Sequence, residues 1–268
     1  MRPLITLLTD FGTADGYVAE MKGVLYSLAP EARVVDLSHE IPPQDVESAR
    51  LAVARYWRRF PPQTIHLVVV DPGVGTSRVA LAVRSEDRVL IGPDNGALSP
   101  ALLVAGARAV SLAVPPAAAP TFHGRDVFAP AAARIAMGAP IDALGPAAES
   151  PMIRRTPEAR RLANGAIQGE VITIDRYGNA ITNIVAYPAT HAREGDAAFV
   201  EVAGRSIPVV RAYADAQPLA AVALCGSSGL LEIAVREGSA ARSLSLVRGT
   251  VVTLHNAPRV LDSSRHEP

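Results

Sequence analysis

Up to Met137, short apolar runs alternate with segments of helical period, and this alternation most constrains the fold. Pro3 to Leu8, Arg33 to Leu37 and Thr64 to Val70 read as buried strands, with Gly16 to Leu28 and Gln44 to Arg59 as the helices between them. A βαβαβ order needs crossovers that lay helices over a mostly parallel sheet. Arg78 to Arg84 and Arg88 to Ile91 read as further strands, and Asp126 to Met137 as a closing helix.

From about Pro146 to Gly165 the pattern lapses into Pro, Ala, Arg and Glu without a period, as a linker would. Short β-type runs then follow closely: Gly169 to Ile174, Ala180 to Val185, Ala197 to Val202, Ser206 to Arg211, Ala220 to Cys225, Leu230 to Val235 and Thr250 to Leu254. Many short strands with Gly-containing turns and little helix indicate a small barrel or sandwich. The expected class is α/β: an N-terminal mostly parallel α/β domain over 1–150, a linker over 151–165 and a small C-terminal β-barrel domain over 166–268.

Charge and composition exclude several roles. The 26 basic and 26 acidic residues cancel, leaving no electrostatic footprint for nucleic acid or an anionic membrane. The most apolar later stretch, Ala101 to Ala119, is broken by Arg108 and by Pro115-Pro116, short of the roughly 20 apolar residues a membrane helix needs. The opening MRPLITLLTDFG reaches Asp10 too soon for a signal-peptide core and reads as a first strand. A single Cys225 excludes an internal disulfide and suits a reducing cytoplasm. The scattered His residues include no HxH or HxxxH pair, so no metal site is expected.

In open α/β sheets, ligands bind beyond the carboxyl ends of the strands, and polar loops occupy those positions here. In Thr9-Asp10-Phe11-Gly12, the Asp10 carboxylate can accept two hydrogen bonds from a ribose diol or cap the next helix. In the Gly-rich turn from Asp71 to Arg78, the two end residues can face each other, an Asp held by an Arg staying ionised, or can form an incidental ion pair. The turn lacks the Lys-Ser/Thr ending of a phosphate loop. Pro93-Asp94-Asn95-Gly96 carries an Asn-Gly turn signal that structure alone explains, although Asp94 and Asn95 remain binding candidates with Phe11. His123, beside Gly124 and ahead of a helix, is a further candidate, and Asp126 can cap that helix. Asp175 and Asn179 flank a tight turn as partners for a polar heterocycle or an amino acid, or simply as a hairpin. No GxSxG turn supports a serine nucleophile.

Taken together, TDFG at 9–12, DGYVAEMKG at 15–23, DPGVGT at 71–76, GPDNG at 92–96, FHGRDVFAP at 122–130, DRYGNAITNI at 175–184 and SSGLLEIA at 227–234 resemble the S-adenosylmethionine hydroxide adenosyltransferase family, the adenosine-forming hydrolases related to fluorinating and chlorinating enzymes. The resemblance runs nearly end to end. It implies an N-terminal α/β domain and a C-terminal β-barrel, a homotrimer with active sites between subunits, and S-adenosyl-L-methionine as substrate; with the lone Cys225 and the scattered His residues, the expectation is a cytoplasmic enzyme without cofactor or metal. The family's water-activating group falls on Asp71, Arg78 and His123, and its ribose-gripping residue on Asp10. Asp175 and Asn179 match residues that hold the methionine and ribose portions, Ser227 and Ser228 the methionine carboxylate contacts, and backbone near Glu237 and Ser239 the adenine edge. The family commonly reads Asn-Ser-Ser-Gly where this chain has Gly226-Ser227-Ser228-Gly229. Halogenating relatives lose the Asp of DPGVGT and the His of FHGRD, so Asp71 and His123 favour water over halide. The alternatives are an S-adenosylmethionine-dependent halogenase and a non-catalytic sensor of adenosyl ligands.

Overall fold

A computed structural model describes residues 2–186 and 198–255. Its chain divides into two compact units meeting at Arg155/Thr156. The first holds a six-stranded sheet built from β1 (Leu4–Thr9), β2 (Arg33–Ser38), β3 (Ile65–Val69), β4 (Ala80–Ser85), β5 (Arg88–Pro93) and β6 (Arg108–Leu112) in the order β2-β1-β3-β5-β4-β6. The first four strands in that order run parallel, while β4 pairs antiparallel with β5 and β6.

The parallel strands read as unbroken apolar runs because both sheet faces are covered. Ile5, Leu7, Ile65, Leu67 and Val69 join one core with Met21 and Leu25 of α1 (Tyr17–Leu28), whereas Leu8, Val68 and Val70 join another with Ala49 and Val53 of α2 (Val46–Tyr56). Two expected helices are shorter than their apolar periods. Gln44 to Arg59 becomes α2 plus a 3₁₀ turn at Trp57–Arg59, because the Asp45 carboxylate accepts from Ser48 N and starts the helix there. Asp126 to Met137 becomes a π-helical turn over Gly124–Phe128 followed by α4 (Ala129–Ala136); α3 (Ser99–Leu102) and β6 go unforeseen.

The second unit is a nearly closed antiparallel barrel. Its strands are β7 (Arg160–Arg161), β8 (Ile167–Ile174), β9 (Ala180–Val185), β10 (Phe199–Val202), β11 (Arg205–Pro208), β12 (Ala221–Cys225), β13 (Leu230–Val235) and β14 (Val251–His255), in the order β11-β10-β14-β8-β9-β13-β12, with β7 beside β8. Val210 N donates to Ala223 O at 2.8 Å and all but joins the two edges. Ala197, where one strand was expected to begin, lies outside the described residues. The stretch expected as a linker is shared out: Met152 and Arg154 bond into the first unit, while β7 pairs with β8 in the second. No helix among the described residues is long and apolar enough to cross a membrane.

His66 sits inside the first unit at 0% exposure, its Nδ1 2.8 Å from Thr6 Oγ1 on the neighbouring strand and its ring against Tyr56 and Phe60. Burial, the largest cause, holds its pKa down at about 4, against an ordinary 6.5. The unfolded chain therefore binds the extra proton between those values, so this contribution is intact above about pH 6.5 and fades as pH falls toward 4. The loss is on the order of 3 kcal/mol. Urea unfolding of His66→Gln should show lower stability at neutral pH but a flatter decline into acid than the parent; an unchanged decline would rule this out.

Candidate active site

The parallel strands deliver their polar residues to one edge. Thr9 ends β1, Val69 ends β3, Pro93 ends β5 and Ser38 ends β2, so Asp10, Asp71, Asp94 and His39 all follow the carboxyl ends of adjacent strands. Adjacent strands lie about 4.8 Å apart, close enough for such side chains to act together. Because β4 runs the other way, Arg78 enters at this same edge, two residues ahead of Ala80.

Arg78 brings the sequence candidates into one group. Its Nε donates to Asp71 Oδ1 at 3.0 Å, and its Nη2 donates to Asp71 Oδ2 and lies 3.1 Å from His123 Nδ1. Nη1 donates to Val79 O at 3.1 Å, and the guanidinium carbon sits 5.4 Å from the centre of the Phe128 ring. The ion pair is almost dry: the Arg78 and Asp71 side chains are 8% and 6% exposed, and His123 is buried. The turn between them depends on Gly75, whose φ is 77° and where a Cβ would stand 2.6 Å from Pro120 O. His123 is aimed by the π-helical turn that follows it, a distortion often found at functional sites. Beside it, Arg125 spans Asp126 and Glu20, and Asp126 accepts from Ala119 N instead of capping the helix.

Burial pushes the Asp71 carboxyl above its ordinary range, with the Arg78 charge and hydrogen bonds and His123 pulling back. Residue types alone expose only the second effect, the Arg78 charge beside Asp71. For His123, burial and then the Arg78 charge lower the pKa, while Asp71 and Asp126 oppose them. A guanidinium can only donate, so His123 Nδ1 accepts, and the neutral ring carries its proton on Nε2.

The remaining candidates divide between open and occupied groups. Asp10 does not cap α1; its Oδ2 accepts from Gln44 N at 2.7 Å. Phe11 packs with Tyr17 and Phe122, ring centres 5.8 Å from each. Asp94 accepts from Met152 N at 2.7 Å, and the Asn95 amide bonds Val70 O and Ala97 N, so the chain itself uses both side chains. In the second unit, Asp175 Oδ1 accepts from Tyr177 N and Asn179 N, and its Oδ2 from Asn179 Nδ2. Ser227 and Ser228 are exposed in the turn before β13. The 175–179 turn and the serine turn lie at opposite ends of the β9–β13 pairing, which runs from Ala180↔Ile233 to Val185↔Leu230, roughly 10 Å along β13. Glu237, exposed with a φ of 57°, follows β13, near Ser239, which packs on Gly178.

Sequence reasoning missed two supports. His39 Nδ1 lies 2.9 Å from Thr9 Oγ1 and its backbone O accepts from Gly12 N at 2.8 Å, bracing the Asp10 loop; its position just after β2 was the available signal. The buried Glu232 accepts from Tyr213 OH, and in a strand that otherwise reads as apolar only its lone charge marked it.

Residues 5–145 match the SAM hydroxide adenosyltransferase N-terminal domain and residues 169–253 the corresponding C-terminal domain. A protein of Thermus thermophilus named (R)-S-adenosyl-L-methionine hydrolase is 44% identical over 95% of this chain and 100% of its own length. One of the same name from Salinispora arenicola is 41% identical over 92% of this chain and 95% of its own. A solved structure of an uncharacterized conserved protein from Thermotoga maritima superposes with a TM-score of 0.83 at 32% identity, covering 93% of this chain and 99% of that one. Both halves of the chain thus match in order, and the chain belongs to the SAM hydroxide adenosyltransferase family.

Proposed function

We propose that this chain hydrolyses S-adenosyl-L-methionine, with water displacing methionine from C5′ to leave adenosine, and that Asp71 is the general base. The observation that carries the reading is the dry Asp71–Arg78–His123 group at the carboxyl edge of the sheet. The chemistry asks for little else. As the bond from water oxygen to C5′ forms, the C5′–S bond breaks and its electron pair leaves on sulfur as neutral methionine. No acid is required, and the reading assigns no metal or cofactor. The water proton passes to the Asp71 carboxylate, which has acceptor capacity left beyond its bonds to Arg78 and to the Gly73 backbone. A pKa raised by burial makes that carboxylate a stronger base. His123 offers an Nε2–H donor that orients the water oxygen. A carboxylate at low effective dielectric repels a desolvated halide, which argues against halogenation.

On this reading Asp10 grips the ribose diol through the oxygen not bonded to Gln44. The second unit supplies Asp175 and Asn179 to the methionine and ribose portions, Ser227 and Ser228 to the carboxylate, and backbone beside Glu237 to adenine. The family resemblance adds a homotrimer in which neighbouring subunits complete each site, and the lone Cys225 suits a cytoplasmic setting.

Asp71→Asn should lower kcat by about 10²–10⁴-fold with KM little changed, and unchanged turnover would remove Asp71 from the role of base. In the parent, kcat/KM should rise with pH through the pKa of Asp71, at a pH above the ordinary 3.8, because the base must be ionised; the Asn variant should lack that limb. Co-refolding Asp71→Asn with Asn179→Ala, each expected to be impaired alone, should give mixed trimers more active than either variant by itself. No recovery, together with a monomer in light scattering, contradicts the shared site.

A further inference from the structure

The GPDNG segment stands beside the catalytic loop, yet its polar groups face into the protein. Asn95 Nδ2 donates to Val70 O at 2.8 Å, and Asp94 N donates to Val79 O at 2.9 Å. Val70 immediately precedes Asp71 and Val79 immediately follows Arg78, so consecutive residues of one loop hold both stems of another.

We propose that Asn95 is a positioning residue that fixes the Asp71–Arg78 pair by holding the Val70 stem of their loop while the Asp94 amide holds the Val79 stem, and that it makes no contact with substrate. The loop needs such help. Its internal bonds span only a few residues, and those made by backbone N–H groups are long: Val74 N to Asp71 O, Thr76 N to Gly73 O and Arg78 N to Thr76 Oγ1 are each 3.2 Å, with only Thr76 Oγ1 to Gly73 O short at 2.7 Å. Gly73 and Gly75 add backbone freedom. An amide is the one side chain of this size with both required groups, a donor for Val70 O and an acceptor for Ala97 N at 3.1 Å. A second layer secures the clamp: Arg154 Nε donates to Asn95 O at 2.9 Å, Met152 N donates to Asp94 Oδ1 at 2.7 Å, and Arg154 N donates to Ser99 Oγ at 2.8 Å. Gly96 has a φ of 94°, and a Cβ there would run into the Arg154 side chain.

The proposal rests on the hydrolase reading for its kinetic test. Asn95→Asp keeps the size and the Ala97 bond but, once ionised, cannot donate to Val70, so it is assayed at a pH well above the carboxyl pKa. It should lower kcat by about 10²-fold, the worth of a misplacement near 1 Å, and leave KM within about threefold. In an Asp71→Asn background the same change should cost almost nothing further, because both act on one base. The ¹⁵N signals of the His123 imidazole should also move in the substrate-free protein. If Asn95→Asp does not fold, Arg154→Met, which cuts the outer bond to Asn95, should give the same pattern more weakly. Higher KM with intact kcat would mean that Asn95 touches substrate. Full additivity with Asp71→Asn would mean that it acts through general stability, and either result overturns the proposal. Should the parent release no adenosine, the reaction assignment fails by itself, and the His123 signals still decide the clamp: movement supports it and their constancy refutes it.

Discussion

The rest of the first unit is arranged around the buried bridge between Arg78 and Asp71. Removing two charges from water is expensive, and their attraction repays the cost only when the geometry is good and the spare donors are satisfied. Arg78 meets both conditions: it binds both carboxylate oxygens, passes a further bond to His123 and satisfies Nη1 on its neighbour's carbonyl. That arrangement requires a turn tight enough to bring residues 71 and 78 together, hence Gly75 under Pro120, and an antiparallel strand that returns Arg78 to the edge where β1, β3 and β5 end.

The same burial divides the chemistry of the two titratable partners. Asp71 is pushed toward holding a proton and His123 toward losing one. Environments that drive neighbouring pKa values in opposite directions commonly mark a base and its helper. Arg78 completes the division: by occupying the acceptor lone pair of His123 Nδ1, it leaves that ring a donor at its far nitrogen, which supports the proposal that the carboxylate takes the proton.

Much of this was legible in the sequence, for reasons that also explain the failures. The buried strands β1 and β3 announce themselves because both faces are covered, and β9 and β13 match their apolar runs residue for residue. β6 was hidden in a long apolar stretch whose Pro and Gly gave no clean period, and β7 is only two residues long. The structure brings Asp71, Arg78 and His123, which the resemblance puts in one group, within hydrogen-bond distance of one another through Arg78. Sequence could not show which atoms were already spent. Asp94, Asn95 and Asp175 look alike as polar loop residues, but their bonds to Met152, Val70 and Asn179 emerge only from folding. Nor could it weigh burial against an ion pair at Asp71, because residue type fixes the partner's charge and not how dry the site is.

The most direct test of water attack at C5′ is to incubate the protein with S-adenosyl-L-methionine in ¹⁸O-water and locate the label by mass spectrometry. The account predicts one ¹⁸O in the 5′-hydroxyl of adenosine and none in methionine. Label in homoserine with release of 5′-methylthioadenosine, or substrate that binds and returns intact, would contradict it.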